Sequence, residues 1–211
     1  MTYRHASRLG AIALTCLATL PAAAAGQTDE STVDLSVHAG PTMPASDLAD
    51  ITDVGPAVGA DIAFWINDHL AVTVDGSVDM LRGDDRADAL PDVQLWHYGA
   101  GLETNVMPVS SPVTFELMGG AGATELRTNH FDPTGPGAPD RLQETYFGLN
   151  AGAEAGYQVS DNIDVALRGG AFFTFTDATD LRPLSDMAPQ VDGFDSMVTL
   201  PLTLQVDVGL N

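Results

Sequence analysis

Hydrophobic residues alternate with polar or small residues along most of this chain, with the period of two that is typical of β-strands. The clearest run ends the chain: every second residue from Val198 to Leu210 is apolar, and Thr199, Thr203 and Asp207 occupy the other parity. The same pattern predicts eight strands, each as long as the roughly 9–11 residues of a membrane-crossing strand. They cover residues 31–42, 57–66, 70–81, 93–106, 113–126, 144–159, 163–176 and 197–210.

The connections between these strands alternate in length. Three are hairpin turns: Asn67 to His69, Met107 to Pro112, and Ser160 to Asn162. The other four are longer, rich in Asp, Pro and Gly, and predict mobile surface loops: MPASDLADITDVGP, RGDDRADALPD, RTNHFDPTGPGAPDRLQ and DATDLRPLSDMAPQVDGFDS. An up-and-down order would place every short turn at one end and every long loop at the other. The predicted fold is therefore all-β, an eight-stranded antiparallel up-and-down transmembrane β-barrel.

The N-terminal segment has the features of a secretory signal peptide. Arg4 and Arg8 precede an apolar run from Leu9 to Leu20, which Ala23-Ala24-Ala25 follows. This run is too short for a membrane helix, and the small residues suit a cleavage site. We expect a cleaved signal peptide over residues 1–25, a single barrel domain over 26–211, and location in the outer membrane. The sole cysteine, Cys16, lies within the signal, so the mature chain would contain no disulfide.

The sequence resembles a known family in two turn-and-strand segments. One is AGYQVSDNIDVALRGGAFF, in which an aromatic residue near a strand end, a short polar turn and an alternating strand follow one another; FWINDHLAVTVDG repeats the pattern. Together with the eight strands, they resemble the small eight-stranded outer-membrane barrels of the OmpA/OmpX-like kind. The resemblance implies a structural or surface-interaction role, such as envelope integrity, adhesion or shielding through acidic extracellular loops.

The charge balance restricts the partners. The chain contains no lysine, and beyond the predicted signal it has six arginines and 29 acidic residues, a formal charge of about −23. Such a surface excludes nucleic acid as a partner, since nucleic-acid binding needs a basic surface. We expect a monomer whose partners are outer-membrane lipids, with solvation or cation binding at the acidic loops, and no cofactor.

Arg168 lies in the middle of an apolar strand, and its charge requires that it face the interior of the barrel. Arg168 would cost several kcal/mol against lipid, so it must face the barrel lumen. Acidic residues and glycines share the lumenal parity on other strands, and the glycines leave room for large side chains in a narrow barrel. We predict a lumenal charge network with a structural role in which Arg168 and Glu154 are the closest pair. Its other members are Asp61 and Asp75 at a similar height and Glu103 and Glu116 somewhat lower.

Candidate chemistry is sparse. No serine follows a mature-chain histidine at the two-residue spacing of the barrel deacylases, and His97 with Glu103 is the best acid–base pair left. A lumenal histidine of this kind is more often a structural hydrogen-bonding partner. The acidic loop residues, such as Asp84, Asp85, Asp88 and Asp92, do not follow the EF-hand spacing. We therefore predict no catalytic residues, no metal site and no enzyme activity.

Three alternatives remain open from the sequence. The excess of lumenal acids would suit a narrow cation-selective pore. A barrel in the outer membrane could also be a lipid-modifying enzyme that depends on His97. Finally, a soluble barrel with inverted faces would point its apolar parity inward and bind an apolar ligand.

Overall fold

The computed structural model of the protein describes residues 33–83, 92–108, 110–128, 142–176 and 196–210. The predicted signal peptide, most of the last three long loops and the final Asn211 lie outside the described residues.

The eight predicted strands are all present, with ends that differ from the prediction by a few residues. The described residues also contain one short 3₁₀ helix, Ser46–Asp50, and one additional two-residue strand. The strands are β1 (Val33–Ala45), β2 (Thr52–Asp53), β3 (Gly55–Asn67), β4 (Leu70–Gly83), β5 (Val93–Asn105), β6 (Val113–Thr128), β7 (Gln143–Ser160), β8 (Ile163–Phe175) and β9 (Ser196–Leu210).

The eight long strands close into a barrel. From β3 to β9 each pairs antiparallel with the next in the chain, and β1 pairs with both β3 and β9. Val33, for example, lies opposite Phe64 on one side and Leu210 on the other. Closure leaves no open sheet edge, which lipid would not tolerate because unpaired backbone groups cannot bond to water there. The predicted up-and-down barrel is confirmed. No helix in the described ranges is long and apolar enough to cross a membrane.

The apolar parity faces outward. Leu204 on β9 is 59% exposed, whereas its neighbours Thr203 and Gln205 are 2% and 4% exposed. Leu102 on β5 is likewise exposed and Glu103 buried. Since the buried parity is the polar one, the alternative of a soluble barrel with an apolar interior is wrong.

Aromatic side chains lie on the outer surface near both ends of the barrel, as expected for a protein at two membrane interfaces. Tyr98, Phe147, Phe173 and Phe175 are exposed towards the long-loop end, and Phe115 and Tyr157 towards the short-turn end. Phe147 and Phe175 stack with ring centroids 6.1 Å apart. The Arg127 guanidinium lies 4.8 Å from the centre of the Trp96 ring.

The first long loop is folded rather than mobile, which corrects the sequence-based expectation. Residues 46–53, which we call the strap, contain the 3₁₀ helix and β2. Strand β2 pairs with Arg82 and Gly83 at the end of β4. The Ser46 hydroxyl donates to the Ser196 carbonyl oxygen at 3.0 Å.

The strap places Leu48 and Ile51 inside the barrel mouth, where each is only 1% exposed. They pack with inward apolar residues at the long-loop ends of the strands. This cluster, the apolar stopper, consists of Leu48, Ile51, Leu81, Val93, Leu95, Leu126, Leu142, Tyr146 and Met197. The polar composition of this loop did not predict the packing. Two apolar residues are nevertheless enough to anchor the loop in the barrel mouth.

Close strand packing leaves no room for a side chain at several glycines, of which Gly122 is one. A Cβ atom at Gly122 would overlap the backbone carbonyl oxygen of Tyr98, which cannot move without breaking the β5–β6 pairing. A Cβ at Gly119, on the same strand, would have 3.7 Å to its nearest neighbour, the Asn150 oxygen. We predict that Gly122→Ala lowers the free energy of unfolding by about 1–3 kcal/mol, the usual cost of overpacking.

Urea unfolding of the folded barrel in lipid vesicles, followed by heat-modifiable electrophoretic mobility, would measure this loss. Gly119→Ala is the matched control and should leave the unfolding midpoint unchanged. Equal effects of the two substitutions would contradict the packing argument.

Candidate functional site

Arg168 lies inside the barrel and bonds across it. On β8 its parity is inward, and its side chain is 17% exposed. The guanidinium donates to Asp61 Oδ2 at 2.6 Å and to Gln205 Oε1 at 3.1 Å. Asp61 lies on β3, three strands away around the barrel, so this charge-assisted pair connects two distant parts of the wall.

Glu154 is the residue directly opposite Arg168 in the β7–β8 register. Its side chain is buried, but Oε2 has no hydrogen-bond partner. The expectation that Glu154 is the closest partner of Arg168 is therefore corrected: that partner is Asp61. The physical reason is the small radius of an eight-stranded barrel, which lets a long arginine side chain reach the far wall as easily as its neighbour.

The remaining members of the predicted network line the same lumen. Asp75 is opposite Asp61 in the β3–β4 register, and Glu116 is opposite Glu154 in the β6–β7 register. Glu103, on β5, shares a side-chain hydrogen bond with Glu116. The structure thus places two aspartates on β3 and β4 and three glutamates on β5 to β7, with Arg168 reaching between them.

A second polar network lies closer to the long-loop end, and the sequence did not reveal it. His97 is 2% exposed and stacks on Phe172 with ring centroids 4.2 Å apart. Its Nδ1 lies 3.0 Å from Thr124 Oγ1 and its Nε2 lies 3.3 Å from Asp79 Oδ2. Asp79 Oδ2 also accepts a hydrogen bond from the Thr42 hydroxyl at 3.3 Å.

The pairing of His97 with Glu103 is wrong. The two residues are six positions apart on one strand, which separates them by about 20 Å along the barrel wall. Asp79 reaches His97 from the adjacent strand because Ser77 is the register partner of His97 and Asp79 that of Leu95. The contact between Asp79 and His97 follows from the register between β4 and β5. The sequence does not predict that register, because a long loop joins the two strands.

The short-turn end also has packed side chains in the lumen. Trp65 points inward from β3, and its indole nitrogen donates to Asp34 Oδ2 at 2.5 Å. The indole ring fills space while its single donor bonds to a partly buried carboxylate. This bond explains why an aromatic residue lies on the otherwise polar parity.

The lumenal groups of the described residues do not form a metal-binding arrangement. Across the described strands and turns, no three His, Cys, Asp or Glu side chains converge in a way that could hold a metal ion. The His97 ring bonds to Thr124 and Asp79 and stacks against Phe172, so its nitrogens already have protein partners. The arrangement suits a role in fixing strand positions.

A closed barrel with an apolar outer belt, aromatic residues at both edges and a polar interior is the architecture of integral outer-membrane proteins. The chain belongs to the outer membrane protein beta-barrel domain family, whose model matches residues 11–185. It is thus an outer-membrane barrel protein.

Two solved structures illustrate the shared fold. The structure of Neisserial surface protein A, from Neisseria, is 17% identical with a TM-score of 0.61 and covers 87% of this chain and 100% of that chain. The outer membrane protein OprG from Pseudomonas aeruginosa is 10% identical with a TM-score of 0.50, over 86% of this chain and 98% of that chain. At these low sequence identities, the two structures show only that the fold is shared. No curated protein matches the sequence.

The cross-barrel ion pair predicts a large effect of removing Arg168. Arg168→Met leaves buried Asp61 without its cation, and breaking a buried pair in this way costs about 3–5 kcal/mol. Urea unfolding in lipid vesicles would measure the loss. Arg127→Met removes an arginine that is 39% exposed on the outer surface, and it should cost much less stability than Arg168→Met.

A double-mutant cycle would identify the partner. The coupling energy between Arg168→Met and Asp61→Asn should exceed that between Arg168→Met and Glu154→Gln, because of these two acids Asp61 is the one that accepts a hydrogen bond from the guanidinium. A larger coupling with Glu154 would contradict the observed pairing.

Proposed function

We propose that this protein is a structural or surface-interaction protein of the outer membrane, without catalytic activity. We further propose that a signal peptide over residues 1–25 is cleaved on export and that residues 26–211 act as a monomer surrounded by outer-membrane lipids. The observation that carries the proposal is the filled lumen. Side chains close the lumen at both ends, with the Trp65–Asp34 pair at the short-turn end and the apolar stopper at the long-loop end.

The filled lumen argues against a pore. The acids expected to attract cations lie below the apolar stopper, whose members Leu48, Leu95 and Leu126 are at most 1% exposed. Dehydrating an ion to pass through such a cluster is costly, because apolar side chains replace none of its water ligands. The Arg168–Asp61 pair spans the lumen beneath it.

An enzyme is also disfavoured. A lipid-modifying reaction would need groups that reach lipid on the outer wall or at the mouth. His97 is 2% exposed inside the barrel. Such burial supports a structural histidine.

The long loops carry the proposed surface role. Their sequences contain many of the acidic residues, including Asp84, Asp85 and Asp88, which lie outside the described residues. An acidic surface attracts cations and basic partners and repels nucleic acid and other anions. Attachment to basic surfaces, or shielding from anionic ones, follows from that charge.

A complementation experiment would test the proposal and separate its two parts. A deletion strain would be complemented with the wild-type gene or with Asp84→Asn/Asp85→Asn/Asp88→Asn, which removes loop charge and leaves the described barrel unchanged. We expect both to restore resistance of the envelope to detergent, and only the wild type to restore attachment to a basic surface.

The outcomes distinguish the roles. If the loop variant restores attachment as well, the acidic loops have no surface role. If the deletion changes neither property, the proposed function is wrong.

Conductance provides an independent test against the pore. We expect the mature protein, inserted in planar bilayers, to show no discrete conductance steps, since the stopper and the ion pair obstruct the lumen. Heat-modifiable mobility of the same preparation would verify that the inserted protein is folded. Reproducible cation-selective steps would favour the channel instead.

A further inference from the structure

An internal cavity separates the two polar networks of the lumen. It has a volume of about 30 Å³, and its polar lining includes His38, Ser77, Asp79, Asn150 and Arg168. Arg168 belongs to the lower network and Asp79 to the upper one, so the cavity lies where the two networks approach without touching.

Three of the lining residues have buried polar atoms without a hydrogen-bond partner in the protein: His38 Nδ1, Ser77 Oγ and Asp79 Oδ1. Asp79 is 1% exposed, and its other oxygen, Oδ2, accepts both of that residue's hydrogen bonds. His38 Nδ1 is 3.6 Å from Asp61 Oδ2, within ion-pair distance but longer than a hydrogen bond. A buried polar atom without a hydrogen-bond partner is costly, so three such atoms on residues that line one cavity call for a shared partner.

The size and chemistry of the cavity match water. A cavity needs about 10–15 Å³ to hold one water molecule, and a buried water typically has two to four polar partners. The volume therefore suits one or two molecules. A metal ion is a poor fit, because the Arg168 guanidinium lines the same space and the described residues supply no cluster of three ligating side chains.

We propose that the cavity is a structural water site that joins the two networks. Water donates to Asp79 Oδ1 and exchanges hydrogen bonds with the Ser77 hydroxyl and His38 Nδ1. The ring of His38, next to Asp61, then links the Arg168–Asp61 pair through water to the Asp79–His97 pair. Only with this water in place are the two polar networks of the lumen connected by hydrogen bonds.

Two substitutions at Ser77 distinguish a hydrated cavity from a dry one. Ser77→Val fills the cavity and removes the hydroxyl, so it should expel the water and leave Asp79 Oδ1 unbonded. We expect a lower urea midpoint for unfolding in vesicles. In a dry cavity the same change would add apolar contacts and raise the midpoint or leave it unchanged.

Thr199→Val is the matched control. Thr199 also has a buried hydroxyl without a partner, and it does not line this cavity. Replacing that hydroxyl by a methyl group should leave the midpoint unchanged or raise it slightly, since no hydrogen bond is lost. If the urea midpoint falls for Ser77→Val but not for Thr199→Val, the loss of stability is due to the loss of water from the cavity and not to the loss of a hydroxyl group.

Ser77→Ala allows direct detection of the water even if Ser77→Val does not fold. It removes the exchangeable hydroxyl, which could mimic a water signal, but leaves the space and two of the three partners. We expect NMR cross-relaxation between water and the backbone amide of Asp79 in the detergent-solubilised Ser77→Ala protein. Absence of that signal in the folded variant, or a Ser77→Val protein as stable as the wild type, would overturn the proposal.

Discussion

Complete backbone pairing is the constraint on which the rest of this structure depends. Lipid offers no hydrogen bonds, so a sheet in the membrane must close on itself. Here β1 meets β9 and completes the ring. Closing only eight strands makes the interior just wide enough for its own side chains. Every inward residue is thereby brought within reach of residues on the opposite wall.

The narrow interior explains how charges are accommodated. Arg168 extends across the lumen to Asp61, and His97 bonds to residues on both adjacent strands. Pairs of this kind contribute little net stability over a well-packed apolar interior, but removal of one partner is costly. We interpret them as interactions that hold the strands in one register, because a slip would separate each pair.

The polar and apolar parts of the interior lie at different heights. Charged groups occupy the middle and the short-turn end, while the strap contributes Leu48 and Ile51 to an apolar cluster at the long-loop end. Loop composition predicted a mobile surface segment there. The relevant signal was the spacing of two apolar residues three positions apart, which is too short a pattern to distinguish packing from chance.

The sequence by itself determined the eight long strands, their order and the face of their side chains, because alternation is a local property with a period of two. It also identified which residues share the lumen: Arg168, Glu154, Asp61, Asp75, Glu103 and Glu116 all face inward. Only the tertiary structure decided which of these side chains contact one another. The choice of Asp61 over Glu154, the pairing of His97 with Asp79 and the position of the strap depend on barrel radius and strand stagger. Both are set by closure of the whole sheet, so no single stretch of sequence specifies them.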